Sequence, residues 1–224
     1  MAQPGACLPG AIACTIPAMK NLKSAVLRTI LLAGMLWLPF AAYAAKNILV
    51  FGDSLSAGYG IAAEQSWPHL LQQELRATHP GYDIVNASIS GETTAGGRQR
   101  ISQALQQHRP VIVVVALGTN DGLRGYRIAD IEANLEDIVT KARRAGARVL
   151  LAGIKLPPNY SRPYVMEFED VFSRLAKKHR AALLPFLLDG LIPAQLLPDN
   201  LHPAAEAQPR IMRNVMEKLK PLLN

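Results

Sequence analysis

One uninterrupted apolar run, residues 111–117, restricts the fold more than any other feature of this chain. The run contains no polar side chain, so a strand formed by it is apolar on both faces and belongs in the middle of a sheet that is covered on both sides. Sheets of this kind consist of parallel strands that are connected by helices. The run therefore predicts an α/β domain around a central parallel sheet.

Apolar runs of strand length alternate with amphipathic segments of helical period along the rest of the chain. The predicted strands are residues 47–51, 82–86, 111–117, 149–154 and 182–185. The predicted helices are residues 66–79, 97–108, 128–145, 165–179 and 204–222, and Pro203 suits the first turn of the last one. No repeat, low-complexity tract or flexible linker interrupts this alternation, so residues 45–224 are predicted to form a single domain.

Residues 1–44 have the pattern of a leader that is removed. A basic stretch begins at Met19, an apolar stretch follows, and small residues at Ala42 and Ala44 suit a cleavage site. These features predict a secretory signal peptide that starts at Met19 and is cleaved after Ala44, and a periplasmic or secreted enzyme. A retained membrane anchor is the alternative, although the uncharged stretch is shorter than the roughly 20 residues of a spanning helix.

The positions of the cysteines and the net charge limit which disulfides and which classes of binding partner are expected. Cys7 and Cys14 both precede the predicted cleavage site, so the mature domain needs no disulfide. Three of the 24 lysines and arginines and none of the 17 acidic residues lie before residue 45, which leaves a mild excess of +4 on the domain. The basic residues are not interleaved with aromatic ones, so nucleic-acid binding is not expected, whereas contact with anionic lipid or acidic thioesters stays open.

Polar segments stand after the predicted strands, where a parallel sheet places its chemistry. Ser54 follows the first strand, and Asp199 and His202 precede the last helix. A serine hydroxyl becomes a nucleophile when a histidine takes its proton, and an acid fixes the tautomer of that histidine. Asp199, three residues before His202, suits this role, whereas Asp53 is the rival acid and is expected to brace the turn. Capping of the last helix is the alternative for His202.

The oxyanion that forms when a serine attacks a carbonyl needs hydrogen-bond donors. The candidates are the backbone amides of Ser54 and Gly91 and the side-chain amide of Asn120. Glycine at position 91 allows a turn to approach closely. For Asn120 taken alone, the favoured interpretation is a turn residue that hydrogen-bonds its own backbone.

Four short motifs, in a fixed order, resemble the SGNH (GDSL) hydrolase family. They are Gly-Asp-Ser-Leu-Ser at residues 52–56, Ser-Gly-Glu-Thr-Thr at 90–94, Gly-Thr-Asn-Asp at 118–121 and Asp-x-x-His-Pro at 199–203. The serine does not occupy the Gly-x-Ser-x-Gly elbow of the α/β-hydrolases. The resemblance spans residues 45–224. Within the family, it is most specific to the group of periplasmic acyl-CoA thioesterases, lysophospholipases and arylesterases.

The resemblance implies a flavodoxin-like three-layer α/β/α sandwich with a five-stranded parallel sheet of order 2-1-3-4-5. It implies Ser54 as nucleophile, His202 as base, Asp199 as the partner of His202, and an oxyanion hole of Ser54, Gly91 and Asn120. No metal or cofactor is implied. The substrates would be small acyl esters or thioesters, with transient lipid contact left open, and the chain is expected to be a monomer.

The resemblance also implies a segment that closes on the acyl chain. Its residues here are Gly122, Leu123, Arg124, Gly125, Tyr126 and Arg127. The Pro-rich stretch 155–164, with two tyrosines, is a second candidate wall of the substrate site, with a plain surface connection as its alternative. Thr119 departs from the relatives' pattern, which has a smaller residue there, and this puts the preferred chain length in doubt.

Two other functions stay open at this point. The same catalytic residues could cleave O-acetylated sugars, although Trp67 is the only tryptophan of the predicted mature domain and lies on a predicted helix. A non-catalytic relative that binds a phosphate ligand would need no activated serine. The intact set of Ser54, Asp199 and His202 favours an ester and thioester hydrolase.

Overall fold

Five parallel strands form one sheet, and the computed structural model describes residues 45–157 and 159–223 of the chain. The strands are β1 Lys46–Gly52, β2 Tyr82–Asn86, β3 Ile112–Ala116, β4 Arg148–Ala152 and β5 Ala182–Leu184. Their spatial order is β2-β1-β3-β4-β5, and every neighbouring pair is parallel. All five residues of β3 are buried, as the run of apolar residues predicts. The predicted fold class and strand order are confirmed.

Seven α-helices connect or follow the strands in the described part of the chain. They are α1 Ser54–Ala57, α2 Trp67–Thr78, α3 Thr94–His108, α4 Thr119–Leu123, α5 Ile128–Arg144, α6 Arg162–His179 and α7 Gln208–Leu219. Short 3₁₀ turns occur at Ala63–Gln65, Pro193–Gln195, Ala205–Ala207 and Lys220–Leu222. None of the helices in the described ranges combines the length and apolar character that crossing a membrane requires.

The helices cover both faces of the sheet. On one face α2 packs beside α7, and on the other α3 packs beside α5 and α5 beside α6. Each long helix presents an apolar stripe to the strands: the fully buried side chains include Leu71 of α2, Leu135 of α5, Phe168 of α6 and Ile211 of α7. This burial, roughly 25 cal/mol per Å² of apolar surface, stabilises the layers and leaves the carboxyl ends of the strands open for a site.

Several predicted boundaries are wrong by a few residues, and each difference has a local cause. Helix α3 starts at Thr94 and not at residue 97, because the Thr93 hydroxyl caps it by accepting the Gly96 amide at 3.2 Å. Helix α6 starts at Arg162 because Pro163 fits a first turn, where no amide donor is needed. Strand β4 ends at Ala152 and not at residue 154. The next residue, Gly153, lies so close to the connection after β5 that a Cβ there would stand 2.2 Å from the Pro185 carbonyl oxygen.

The last helix also differs from its prediction. It starts at Gln208, with Pro209 in its first turn, and a separate 3₁₀ turn precedes it. Pro203, which the sequence assigned to that first turn, forms an isolated antiparallel bridge with Leu196. The predicted signal peptide, with its start at Met19 and its cleavage site after Ala44, lies outside the described residues.

Candidate active site

The carboxyl edge of the sheet gathers the polar residues that the sequence singled out. Ser54 opens α1 directly after β1, Gly91 lies in the connection after β2, and Asn120 lies in α4 after β3. Asp199 and His202 lie in the long connection between β5 and α7. Because all strands are parallel, their carboxyl ends share one edge, and residues far apart in sequence meet there.

Ser54, His202 and Asp199 form one hydrogen-bonded chain. The Ser54 Oγ lies 2.9 Å from His202 Nε2, and His202 Nδ1 lies 2.6 Å from Asp199 Oδ2. A carboxylate can only accept, so Nδ1 carries the proton toward Asp199 and Nε2 is left with its lone pair facing the serine hydroxyl. In this tautomer the imidazole is ready to accept the Ser54 proton.

Hydrogen bonds hold the Asp199 carboxylate in its ionised form. Its Oδ1 accepts the amide of Leu201 at 2.9 Å and the amide of His202 at 3.0 Å, while Oδ2 faces the imidazole. The His202 amide, followed by the His202 ring, lowers the pKa of this carboxyl to about 2. Asp199 therefore fixes the backbone turn and the ring of the same histidine.

Two main-chain amides and one side-chain amide stand ready as donors. The amides of Ser54 and Gly91 have no acceptor among the described residues, and Gly91 has the left-handed φ of +80° that glycine adopts without strain. Asn120 Nδ2 donates to the Glu92 carbonyl at 3.0 Å, next to Gly91, and its second N–H has no acceptor in the described ranges. The interpretation that Asn120 bonds its own backbone is therefore wrong.

Residues 50–209 match the sequence model of the GDSL-like Lipase/Acylhydrolase family, which is more than half of the chain. The chain belongs to this family. The prediction drawn from the four short motifs is confirmed.

Curated relatives agree with the family match. The chain is 45% identical over 201 residues to Esterase TesA of Pseudomonas aeruginosa, with 88% of this chain and 100% of that protein covered. It is 41% identical over 181 residues to Arylesterase of Vibrio mimicus, with 80% and 90% covered. It is 41% identical over 189 residues to Thioesterase 1/protease 1/lysophospholipase L1 of Escherichia coli strain K12, with 84% and 89% covered.

A solved structure matches the architecture as well. The crystal structure of TesA superposes with a TM-score of 0.77 at 45% identity and covers 79% of this chain and 99% of its own. A chain that matches 79% of this one over 99% of its own length thus has the same fold.

Hydrogen bonds on both sides of the His202 turn hold this connection of the GDSL-like domain in place. Leu197 donates its amide to the His202 carbonyl at 2.7 Å, and Leu196 and Pro203 form the antiparallel bridge. The Gln208 side chain donates to the Pro203 carbonyl at 3.2 Å and accepts the Trp67 amide at 3.0 Å. This buried glutamine, which the sequence did not single out, links the turn to α2.

The turn that presents Ser54 is braced by a buried carboxyl. Asp53 is fully buried, and its Oδ1 caps α1 by accepting the Leu55 amide at 3.0 Å. Burial raises the pKa of Asp53 to about 6. The Thr119 hydroxyl lies beside Oδ2 without a hydrogen bond of good geometry, and Asp53 makes no hydrogen bond to His202. The expectation that Asp53 braces the turn fits this arrangement.

Replacing Asp53 by asparagine is expected to stabilise the domain at neutral pH. The amide keeps the acceptor for Leu55 and removes a buried charge, and a pKa raised by about two units corresponds to ~3 kcal/mol. Because the folded pKa exceeds the unfolded one, wild-type stability falls as pH rises from about 4 to about 6. Urea unfolding from pH 4 to 8 measures this, with the exposed Asp170→Asn as matched control.

A pH-independent gap between wild type and Asp53→Asn contradicts this account of the buried carboxyl. The same holds if the control shows an equal gain, because Asp170 lies exposed on α6 and has no buried charge to remove. A loss of stability at every pH would mean that the new amide finds no acceptor near Thr119.

Two further interactions position the donor segments, and neither was expected from the sequence. Arg100 of α3 pairs with the Glu92 carboxylate, donates to the Ala87 carbonyl at 2.8 Å and lies 3.9 Å from the centre of the Phe51 ring. It thereby fixes the connection that contains Gly91. Arginine pairs of this kind depend on contacts between distant segments, for which periodicity gives no signal.

Asp121 is the second of these positioning residues. It is buried, and its carboxylate accepts the Thr94 hydroxyl at 2.6 Å and the Thr94 amide at 2.9 Å. Burial, partly offset by these bonds, raises the pKa of Asp121. The residue after Asn120 is thus fixed to the start of α3, and this holds the Asn120 amide near Gly91.

The predicted acyl-contacting segment, residues 122–127, contacts Tyr160 and Tyr164 of the Pro-rich stretch. Tyr160 donates its hydroxyl to the Leu123 carbonyl at 2.7 Å, and Tyr164, at the start of α6, donates to the Tyr126 carbonyl at 2.8 Å. Both tyrosines therefore hold the backbone of residues 122–127. The part of the Pro-rich stretch from Tyr160 to Tyr164 thus supports this segment beside Asn120 and does more than connect β4 to α6.

An aromatic side chain that the sequence did not flag contacts the histidine. The Tyr59 ring lies 4.3 Å from the His202 ring, centre to centre, at an interplanar angle of 36°. Tyr59 follows Gly58, whose left-handed φ of +80° ends α1 and turns the chain back over the site. The ring therefore covers one face of the imidazole while remaining half exposed to solvent.

Proposed function

We propose that this enzyme hydrolyses carboxylic esters and thioesters through an acyl-enzyme on Ser54. The observation that carries the proposal is the continuous hydrogen-bonded chain from Ser54 through His202 to Asp199, with free amide donors beside the serine. Membership of a lipase/acylhydrolase family supports the reaction class. His202 would act as base and Asp199 as its orienting partner.

The proposed reaction runs in two halves. His202 Nε2 takes the Ser54 proton as Oγ attacks the acyl carbon, and the new oxyanion accepts from the amides of Ser54, Gly91 and Asn120. His202 returns the proton to the leaving alcohol or thiol, and the acyl group stays on Ser54. Water then repeats the attack with His202 as base and releases the acid. No step requires a metal or cofactor.

The substrate range follows from the relatives at 41–45% identity, which are named esterase, arylesterase and thioesterase/lysophospholipase. We assign all three kinds of leaving group to this chain, because each departs from the same acyl centre. Residues 122–127 are proposed to contact the acyl chain. Thr119, the residue directly before Asn120 in α4, is proposed to narrow that region and so to influence the preferred chain length.

The setting of the enzyme is part of the same proposal. Residues 1–44 would act as a signal peptide that is cleaved after Ala44, with Met19 as the start, and residues 45–224 would work as a monomer in the periplasm or outside the cell. The crystal structure of TesA, which covers 79% of this chain and 99% of its own, supports the boundary of the working domain. Transient contact with lipid would bring the enzyme to its substrates.

A covalent probe tests the central claim. We expect a fluorophosphonate to modify the folded domain 45–224 once, and peptide mass spectrometry to place the adduct on Ser54, because this hydroxyl has a base at 2.9 Å. The same protein unfolded in urea is the matched control and should not react. Labelling on another serine, or none on correctly folded protein, would overturn the assignment and favour a ligand-binding protein.

A further inference from the structure

The large apolar side chains that stay exposed all lie at the edge of the sheet that carries Ser54. Five such side chains occur among the described residues, each between 45% and 58% exposed: Tyr59, Ile89, Tyr126, Met166 and Ile192. One follows each strand in turn, from β1 to β5, in the connection or at the start of the next helix. We call these five residues the apolar rim.

The position of the apolar rim distinguishes it from ordinary surface apolarity. Single exposed apolar side chains normally scatter over a protein, and a concentration on one side marks an interaction site. In the part of the chain that the structure describes, no large apolar side chain is exposed at the opposite edge, and Met166, in the second turn of α6, is the one rim residue on a long helix. Four connections and the beginning of α6 thus each present an apolar group near the carboxyl edge of the sheet.

Contacts place members of the rim beside the catalytic residues. Tyr59 lies against the His202 ring, and Ile89 donates its amide to the Gly52 carbonyl at 3.0 Å, two residues before Ser54. Tyr126 belongs to the segment that follows Asn120, and its carbonyl accepts from Tyr164. Tyr59, Ile89 and Tyr126 therefore lie beside the site. Two of its members are tyrosines, which favour the boundary between water and lipid.

Four exposed cations near the rim follow two neighbouring strands, and we call this part of the rim its cationic side. The connections after β3 and β4 carry four exposed cations: Arg124, Arg127, Lys155 and Arg162. Arg127 pairs with Asp130, whereas Arg124 and Arg162 have no acidic partner within the described ranges. The exposed acids of the other connections are Glu64 after β1 and Asp189, Asp199 and Glu206 after β5. Met166 and Tyr126 thus stand next to the cationic side, with Glu167 as an exposed neighbouring acid.

We propose that the apolar rim docks this domain on the surface of an anionic phospholipid aggregate. The rim side chains enter the boundary between headgroups and acyl chains, and the cations after β3 and β4 face the lipid phosphates. The Ser54 site then opens onto the aggregate. The proposal rests on the proposed function only in naming a lipid ester as the substrate that enters there, since docking itself requires no hydrolysis.

Flotation with vesicles tests docking without relying on activity. We expect domain 45–224 to float with phosphatidylglycerol vesicles at low salt and far less with phosphatidylcholine vesicles. Met166→Gln combined with Ile192→Ser should lower the partition coefficient roughly 10-fold, because two exposed apolar groups are lost. Arg162→Gln should lower it roughly 5-fold. Arg144→Gln, an exposed arginine at the end of α5 on the opposite edge, is the matched charge control and should leave it unchanged.

A soluble short-chain ester separates this proposal from the proposed function. Positions 166, 192 and 144 are exposed, and their variants should hydrolyse it at the wild-type rate. Wild-type hydrolysis without flotation overturns docking and leaves the ester hydrolase intact, whereas flotation without hydrolysis does the reverse. Docking is also overturned if the domain floats equally well with neutral vesicles or if the double variant is unaffected. The same holds if Arg144→Gln has an effect as large as that of Arg162→Gln.

Discussion

Replacing His202 by alanine is expected to lower kcat for a chromogenic acyl ester by roughly 10⁶-fold, and Ser54→Ala by a similar factor. Without the imidazole nothing within hydrogen-bond reach takes the serine proton, because Nε2 at 2.9 Å is the only basic atom bonded to Ser54 Oγ among the described residues. Without the hydroxyl, the imidazole has no nucleophile to activate. Each residue is useless in the absence of the other.

The double variant makes this prediction sharper. When two residues act as a unit, removing either one already abolishes their joint contribution to kcat. The double variant Ser54→Ala with His202→Ala should therefore be no slower than either single variant. The rate that remains should be the contribution of the oxyanion donors and of substrate binding. His108→Ala is the matched control, because His108 ends α3 at the opposite edge of the sheet. Steady-state kinetics and urea unfolding of the wild type and the four variants give the comparison.

Two results would contradict the proposed unit. One is a His202→Ala variant that keeps a tenth or more of the wild-type kcat while its unfolding midpoint is unchanged. The other is a double variant whose loss equals the product of the two single losses, which would indicate independent contributions from Ser54 and His202.

The sequence predicts most of the sheet, and it points to the proposed catalytic residues, because these signals are local. A strand buried on both faces has to be apolar throughout, and residues 112–116 are. Asp199 and His202 are three residues apart, so one tight turn brings the carboxylate to Nδ1 without help from the rest of the chain. The order of strands follows from the family resemblance and not from any pattern within a single strand.

The interactions that the sequence does not predict join segments far apart in the chain. Arg100 reaches back to Glu92 and Ala87, Gln208 connects Pro203 to Trp67, and Tyr59 covers His202. Each depends on which side chains face each other after folding. The assignment of Pro203 to the first turn of the last helix fails for the same reason, because pairing with Leu196 keeps Pro203 extended and Pro209 takes that place.

Replacing Asp199 by asparagine should lower kcat by roughly 10⁴-fold while changing KM little. The carboxylate uses Oδ1 for the amides of Leu201 and His202 and Oδ2 for the His202 ring. An asparagine that keeps both backbone bonds has to point its NH₂ group at Nδ1. The ring then adopts the other tautomer, with a proton on Nε2, and cannot accept the Ser54 proton. The opposite orientation of the amide would lose both backbone bonds.

The pH range over which Asp199 contributes to stability separates its role in fixing the His202 tautomer from a purely structural role. The Asp199 pKa of about 2 lies below its ordinary value of 3.8, so the stability that its ionised form contributes is present above about pH 4 and is lost as the pH falls toward 2. The variant should therefore be impaired at neutral pH although it is folded there. Asp189→Asn, at an exposed acid of the same connection, is the matched control and should keep wild-type kcat. An Asp199→Asn enzyme within 10-fold of wild type would mean that the backbone turn alone orients His202, and that the carboxylate has no part in fixing the tautomer.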